Sequence, residues 1–296
     1  MTFKNKLKSK EFIITCELAP PKGYDTDSIV KIAQSLKGLV HAINITDGQG
    51  GNMRMNSVIA SYLLQRETGI EAICQMVCRD KNSIAIQAEV LGALGLKIHN
   101  YLILKGDSAK WGDNPMAKDV FEFSTDDVLE VFKRFTNGFD FANNHIEKQI
   151  TNDICLACAT HPGVEDLTSQ AEKMKARIEN YGIEFFQTQI VYDIEQLKRF
   201  KDSLIKQEIY TPIFIGITPL KSVKMANFMN EKIYGVTVPK DLINRLENSK
   251  DQRQEGLEIA SELFEEIKNL EFRGIHLMPI GQEKHCEEIL KKIKNS

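Results

Sequence analysis

The chain lacks an excess of either charge: 38 Lys and Arg stand against 41 Asp and Glu, a formal net charge of −3. A balance so near neutral, with no basic arm or stripe, argues against nucleic acid as the main partner. Long apolar runs are missing too. No stretch approaches the ~20 apolar residues that span a bilayer, so no membrane insertion is expected. The start, Met1-Thr2-Phe3-Lys4-Asn5-Lys6-Leu7-Lys8, carries charge without the apolar centre of a secretory signal, which makes the cytoplasm the expected compartment. No G-x-G-x-x-G follows any strand-like run, which weakens an open, doubly wound dinucleotide-binding sheet. No Ser/Gly/Pro-rich linker, repeat or low-complexity tract divides the chain, and one domain over residues 1–296 is expected. Cysteines are few: the six, at 16, 74, 78, 155, 158 and 286, fall mostly inside strand-like runs, as small buried hydrophobes do. Cys155-Leu156-Ala157-Cys158 has CxxC spacing, but positions i and i+3 of a strand face opposite sides, so a shared metal is not expected.

What is present is an ordinary α/β pattern. With 296 residues, 42% hydrophobic and 27% charged, the chain is long enough for a large core. Short β-branched runs at 12–18, 40–46, 71–77, 100–105, 153–159, 184–191, 212–217 and 274–279 read as strands. Amphipathic segments alternate with them at 26–37, 55–68, 82–96, 125–135, 166–181, 193–206, 221–230, 252–269 and 282–294. Eight strands alternating with helices predict a parallel sheet, and eight is the number that closes a (β/α)8 TIM barrel. The stretch 136–152, with turn residues and little periodicity, reads as an inserted loop or short hairpin.

Barrels of this kind place their chemistry at the C-terminal ends of the strands. The first run, Phe12-Ile13-Ile14-Thr15-Cys16-Glu17-Leu18, ends in a glutamate just before Ala19-Pro20-Pro21. A carboxylate there is costly to ionise and suits a general acid; a buried ion pair with Lys or Arg is the alternative. Later strands run into Thr46-Asp47-Gly48-Gln49-Gly50-Gly51-Asn52, Cys78-Arg79-Asp80, Lys105-Gly106-Asp107 and Thr160-His161-Pro162. Singly, Asp47-Gly48 is a turn, His161-Pro162 a helix entry and Asp107 a cap. Gln75 and Gln189 lie inside apolar strands and need hydrogen-bond partners. Together these ends describe a polar, uncharged-to-acidic pocket suited to a heterocycle with several donors and acceptors.

The carrying segments are Thr15-Cys16-Glu17-Leu18-Ala19-Pro20-Pro21, Asn44-Ile45-Thr46-Asp47, and Cys78-Arg79-Asp80-Lys81-Asn82-Ser83-Ile84-Ala85-Ile86-Gln87. With Leu102-Ile103-Leu104-Lys105-Gly106-Asp107 and Gln187-Thr188-Gln189-Ile190-Val191-Tyr192-Asp193, they resemble the methylenetetrahydrofolate reductase family over essentially the whole chain. The resemblance implies a flavin-dependent barrel that transfers a hydride to the methylene carbon of 5,10-methylenetetrahydrofolate. In it Glu17 matches the acid that protonates N10. Asp107 matches an aspartate near pterin and flavin, and Gln189 a pterin-contacting glutamine. Thr46, Gln75, Lys105, Gly106 and His161 match positions that hold the flavin, with Gln75 where many members have histidine. Lys173, Lys175 and Arg177 are candidates for the cofactor phosphates, with a solvated helix face as the alternative. The implied cofactor is FAD, with FMN open. The implied partners are methylenetetrahydrofolate, NAD(P)H or a second electron-delivering protein subunit, and further copies in an oligomer.

The sequence also departs from the family. Where many members carry a glutamine and a phenylalanine after strand seven, this chain has Met225 and Met229, with Phe228 one residue out of register. Strand eight ends Leu277-Met278-Pro279-Ile280-Gly281, without the arginine that would meet the folate tail. These changes resemble a branch that receives electrons through a partner protein. Two rival readings are a pterin-dependent methyltransferase barrel acting on a corrinoid protein, and a non-catalytic folate- or flavin-binding subunit.

Overall fold

All eight strand-like runs form strands, and they close on themselves. The structure is a computed structural model describing residues 2–147, 150, 153–233 and 235–294. The strands are β1 (Ile13–Leu18), β2 (Ala42–Ile45), β3 (Ala72–Val77), β4 (Asn100–Leu104), β5 (Cys155–Thr160), β6 (Phe185–Ile190), β7 (Ile213–Ile217) and β8 (Gly274–Leu277). Each pairs in parallel with its sequence neighbours, and β8 returns to β1 through Ile13↔Gly274 and Cys16↔Leu277. This is a (β/α)8 TIM barrel forming a single domain, as the strand count predicts.

Around it run α1 (Phe3–Leu7), α2 (Asp27–Ser35), α3 (Ser57–Thr68), α4 (Ser83–Gly95), α5 (Thr125–Thr136) and α6 (Leu167–Tyr181). They are followed by α7 (Ile194–Lys206), α8 (Val223–Lys232), α9 (Lys240–Asn248), α10 (Gln252–Asn269) and α11 (Cys286–Lys294). Most helices start on a side chain that takes up free backbone N–H groups: Asn56 before α3, Asn82 before α4, Asp193 before α7 and Asp251 before α10. Ser124 and Asp127 form a reciprocal capping box on α5. Among the described residues, no helix is long and apolar enough to cross a membrane.

Strand alternation sorts the residues into two cores. Outward residues such as Ile14, Cys16, Ile43, Cys74, Tyr101 and Cys158 pack under the helices. Inward residues at the N-terminal end, among them Ile13, Ala42, Ile73, Leu102, Cys155, Phe185 and Phe214, form a separate apolar layer inside the barrel. Cys155 and Cys158 therefore face opposite sides, as their spacing requires, and burial pushes the Cys158 thiol up to about 12.

Two helices escape the periodicity reading. α1 is one short turn whose Phe3 closes the N-terminal end of the barrel, its ring 5.5 Å from Phe185 and 6.4 Å from Phe214. Polar ties hold it: Phe3 N donates to Glu71 Oε1 at 2.6 Å, and Lys4 Nζ donates to the Ile154 carbonyl at 2.8 Å. The second, α9, buries Leu246 in a small cluster with α8 and α10. The expected insertion at 136–152 contains an antiparallel bridge between Phe139 and His145, the hairpin alternative; its residues 148, 149, 151 and 152 lie outside the described residues.

Candidate active site at the C-terminal rim

A cavity of about 500 Å³ opens at the C-terminal ends of the strands. Nine of the eleven residues singled out from the sequence line it: Glu17, Gln75, Lys105, Gly106, Asp107, His161, Lys173, Arg177 and Gln189. Of the other two, Thr46 is buried beside the end of β2, and its Oγ1 has no hydrogen-bond partner. Lys175 does not line the cavity, because the α6 face turned toward it carries positions 170, 173 and 177, spaced three and four apart.

Glu17 projects inward from β1 and is 8% exposed. Neither the bare apolar setting nor the Lys or Arg pairing foreseen for it is what it meets. Gln49 Nε2 donates to Oε1 at 2.8 Å, Gln75 Nε2 donates to Oε2 at 3.2 Å, and His276 Nε2 lies 3.7 Å from Oε2. Beneath this group a buried polar layer crosses the barrel. His276 Nδ1 and Thr15 Oγ1 are 2.9 Å apart, and Gln187 Nε2 donates to Thr15 Oγ1 at 3.2 Å. The side-chain amides of Gln187 and Asn44 pair reciprocally at 2.7 and 3.2 Å. In this layer Thr15, Asn44, Gln187 and His276 thus all have partners, as burial demands.

On the opposite wall, β6 shifts register between Gln187 and Ile190. Thr188 Oγ1 anchors the irregularity, accepting from Gly216 N at 2.8 Å and donating to the Gln189 carbonyl at 2.7 Å. A bulge of this kind re-aims side chains beside a site, and Gln187, Thr188 and Gln189 all reach the cavity wall.

The rim loops are tied to one another. Arg79 Nη1 donates to the carbonyls of Gly48 at 3.0 Å and Asp107 at 3.3 Å, while Nε and Nη2 pair with Asp80. Asp47 Oδ2 accepts from Val77 N at 3.1 Å and from Lys81 Nζ at 2.7 Å; Lys81 also meets Glu89 at 2.6 Å. Burial works against the Lys81 ammonium, but Asp47 and Glu89 outweigh it and hold its pKa above the usual lysine range.

The basic side carries His161, Lys173 and Arg177. Burial, with a smaller contribution from Lys173, lowers the His161 pKa and favours the neutral imidazole. Arg177 is clamped by Asp126 through Nε at 2.8 Å and Nη2 at 3.1 Å, and this pairing holds the Asp126 carboxyl below its ordinary value. Lys105 places its ammonium 5.6 Å from the Phe121 ring centre.

The departures of α8 and β8 take different places. Met225 and Met229 are buried in the small cluster with Ile190, Tyr192 and Leu246, away from the cavity lining, and Phe228 is 52% exposed. Met278, by contrast, lines the cavity beside His276. Sequence reasoning placed Gln49 and Gln187 in the polar strand-end runs without giving either a role, and it missed His276. Alternation along β8 puts His276 and Met278 on one face, a signal that could have found the first. Nothing in the local pattern ties Gln49 to Glu17.

Methylenetetrahydrofolate reductase 1 of Schizosaccharomyces pombe is 21% identical over 260 residues, covering 85% of this chain and 40% of that protein. Methylenetetrahydrofolate reductase (NADH) 1 of Arabidopsis thaliana is 24% identical over 302 residues, covering 94% of this chain and 47% of the plant protein. The chain therefore spans less than half the length of these curated relatives. Among solved structures, a Clostridium thermocellum protein described as binding two copies of 5-methyl-5,6,7,8-tetrahydrofolic acid superposes with a TM-score of 0.65 at 19% identity, over 99% of both chains. DmoA from Hyphomicrobium sulfonivorans gives 0.57 at 10% identity, over 96% of this chain and 87% of its own. At such identities the structural likeness speaks for the barrel alone. The family model for methylenetetrahydrofolate reductase, however, matches residues 2–294, which include every side chain of the rim cavity, and the chain belongs to that family.

Proposed function

We propose that this barrel reduces 5,10-methylenetetrahydrofolate to 5-methyltetrahydrofolate on a bound flavin, with Glu17 as the general acid. The observation that carries the reading is a nearly buried carboxyl at the inner wall of an open polar cavity, in a chain of this family. The named relatives in yeast and plant and the folate-binding structural neighbour support the same substrate class.

The residues present fit a flavin. Thr46 Oγ1 is a buried polar atom without a partner, and Gln75, Lys105, His161 and Gln189 bring donors to one cavity. A flavin ring is rich in acceptors along its pyrimidine edge, so a wall of donors suits it. When bound in its reduced form, it would supply two electrons, as one hydride, to the substrate's methylene carbon. Lys173 and Arg177, one helical turn apart, would meet its phosphate end. FAD is the expected form, and the mass of the extracted cofactor distinguishes it from FMN.

The chain's own part is proton and charge management. Protonated Glu17 gives its proton to N10, opening the five-membered ring and leaving a cationic C=N acceptor. Asp107, exposed at the end of β4, supplies negative charge to that cation. Gln189 would hold the pterin by its amide. His161, held neutral by burial, donates or accepts a hydrogen bond without adding charge.

The test begins with an absorbance spectrum of the purified protein. A flavin spectrum that bleaches on chemical reduction and returns with methylenetetrahydrofolate is expected. Anaerobic bleaching by NADH alone would identify the nicotinamide as donor; bleaching only with a reduced protein partner would identify the second source. A colourless protein that gains no flavin on reconstitution would overturn the reading in favour of a pterin-dependent methyltransferase barrel or a non-catalytic subunit.

A further inference from the structure

The turn after β2 reads Asp47-Gly48-Gln49-Gly50-Gly51, and three of its residues have positive φ: Gly48 at 57°, Gly50 at 65° and Gly51 at 74°. A side chain at 48 would strike the Arg79 guanidinium, and one at 51 would strike the Ser108 carbonyl. Glycine is required at both places by conformation and by space. Gln49 is flanked by these glycines, and its side chain is aimed at the proposed acid, Nε2 donating to Glu17 Oε1 at 2.8 Å.

The aim is held by the rim. Arg79, 4% exposed, takes the Gly48 carbonyl at 3.0 Å and links it to the Asp107 carbonyl at 3.3 Å. Asp47, one residue earlier, is fixed by Val77 N at 3.1 Å and Lys81 at 2.7 Å. With its backbone tied on this side, Gln49 is held where its side chain reaches Glu17. A primary amide is a donor at one end and an acceptor at the other. As it stands its N–H end donates to the Glu17 carboxylate. Gln75 offers the same chemistry from β3, but it is buried within the barrel, whereas Gln49 is exposed at the mouth.

We infer that Gln49 is the positioning residue of Glu17, fixing the carboxyl's direction and favouring its ionised form as the proton leaves for the substrate. The inference rests on Glu17 being the acid of the proposed reaction. The other groups facing Glu17 are Gln75 from β3 and His276 from β8. The charged and titratable groups of the same rim are Asp47, paired with Lys81; Arg79, paired with Asp80; Arg177, paired with Asp126; and Lys105, Asp107, His161 and Lys173.

Gln49→Leu keeps the bulk and removes both ends of the amide. Glu17 must be protonated to act, so turnover falls on the alkaline side as it ionises. Losing a donor to the carboxylate lets the proton stay to higher pH. The alkaline limb of the pH profile should therefore move up by about one pH unit, the scale of one charge-assisted hydrogen bond, while turnover at the optimum falls about tenfold. Gln49→Asn, which keeps the amide, should recover part of the shift. A purely structural role would lower turnover without moving the limb. The apoprotein gives an independent readout: the carboxyl-13C resonance of Glu17, assigned by its loss in Glu17→Gln, should titrate at higher pH in Gln49→Leu. If Glu17→Gln is inactive yet both limb and resonance are unmoved in Gln49→Leu, the role of Gln49 is overturned and the reductase reading stands. If Glu17→Gln keeps its turnover, the reading falls, and the resonance alone decides whether Gln49 controls this carboxyl.

Discussion

Three strands change character over four residues as they run from the closed end of the barrel to the open one: Ile13, Thr15, Glu17; Ala42, Asn44, Thr46; Phe185, Gln187, Gln189. The closed end is an apolar layer stoppered by Phe3, and the open end is the polar cavity. The difference shows how one scaffold divides its labour. Apolar contacts at the bottom need only volume and shape, so they supply stability without constraining chemistry. Every polar group higher up must find a partner, so the Asn44–Gln187–Thr15–His276 layer fixes directions as well as positions.

This contrast can be broken from either end. The largest effect is expected at the top: Glu17→Gln should cut folate turnover by about a thousandfold, within the range for loss of a general acid, with thermal stability and flavin binding unchanged. Steady-state rates beside a melting curve separate the two. At the bottom the pattern should reverse. Phe3→Ala removes a fully buried ring from the stopper and should cost about 3–5 kcal/mol of stability, read by urea unfolding, while the reaction chemistry stays intact below the new transition. Similar losses of turnover from both variants, after correction for the folded fraction, would show that the two ends are not separable.

The middle layer should give a smaller, non-additive signal. Asn44→Leu strands the Gln187 amide and should cost about 1–3 kcal/mol. The double variant Asn44→Leu/Gln187→Leu should recover part of that loss; additive losses would mean the amides do not act as a pair. The smallest effect concerns His161. Burial holds its folded pKa below the ordinary 6.5. The unfolded chain therefore takes up the proton first, so its contribution to stability is full above that value and is lost as pH falls through the folded pKa. His161→Gln should flatten the acid side of the stability profile slightly, and an unchanged slope in unfolding titrations would count against it.

Much of the barrel was legible because periodicity is a local property. All eight strands and nine helices announce themselves by two-fold or 3.6-fold spacing, and Glu17, Gln75 and Gln189 stand out as polar residues at strand ends. α1 did not, because five residues are too few to show a helical period, and its burial depends on Phe185 and Phe214 some two hundred positions away. α9 was hidden by its closeness to α10, though Pro239 before it and Leu242, Ile243 and Leu246 along it carry the signal. The neighbours of Glu17 were illegible for a different reason. Gln49, Gln75 and His276 come from three separate strand ends, and only barrel closure brings β8 beside β1.

The Phe3 stopper has one more consequence. It makes the barrel a blind well, filled and emptied through the same mouth. In the proposed reaction the electron donor and the folate would share that mouth, so the departure of one would precede the arrival of the other. Traffic at the rim, where Gln49 and Asp107 stand, would then set the order of events in that reaction.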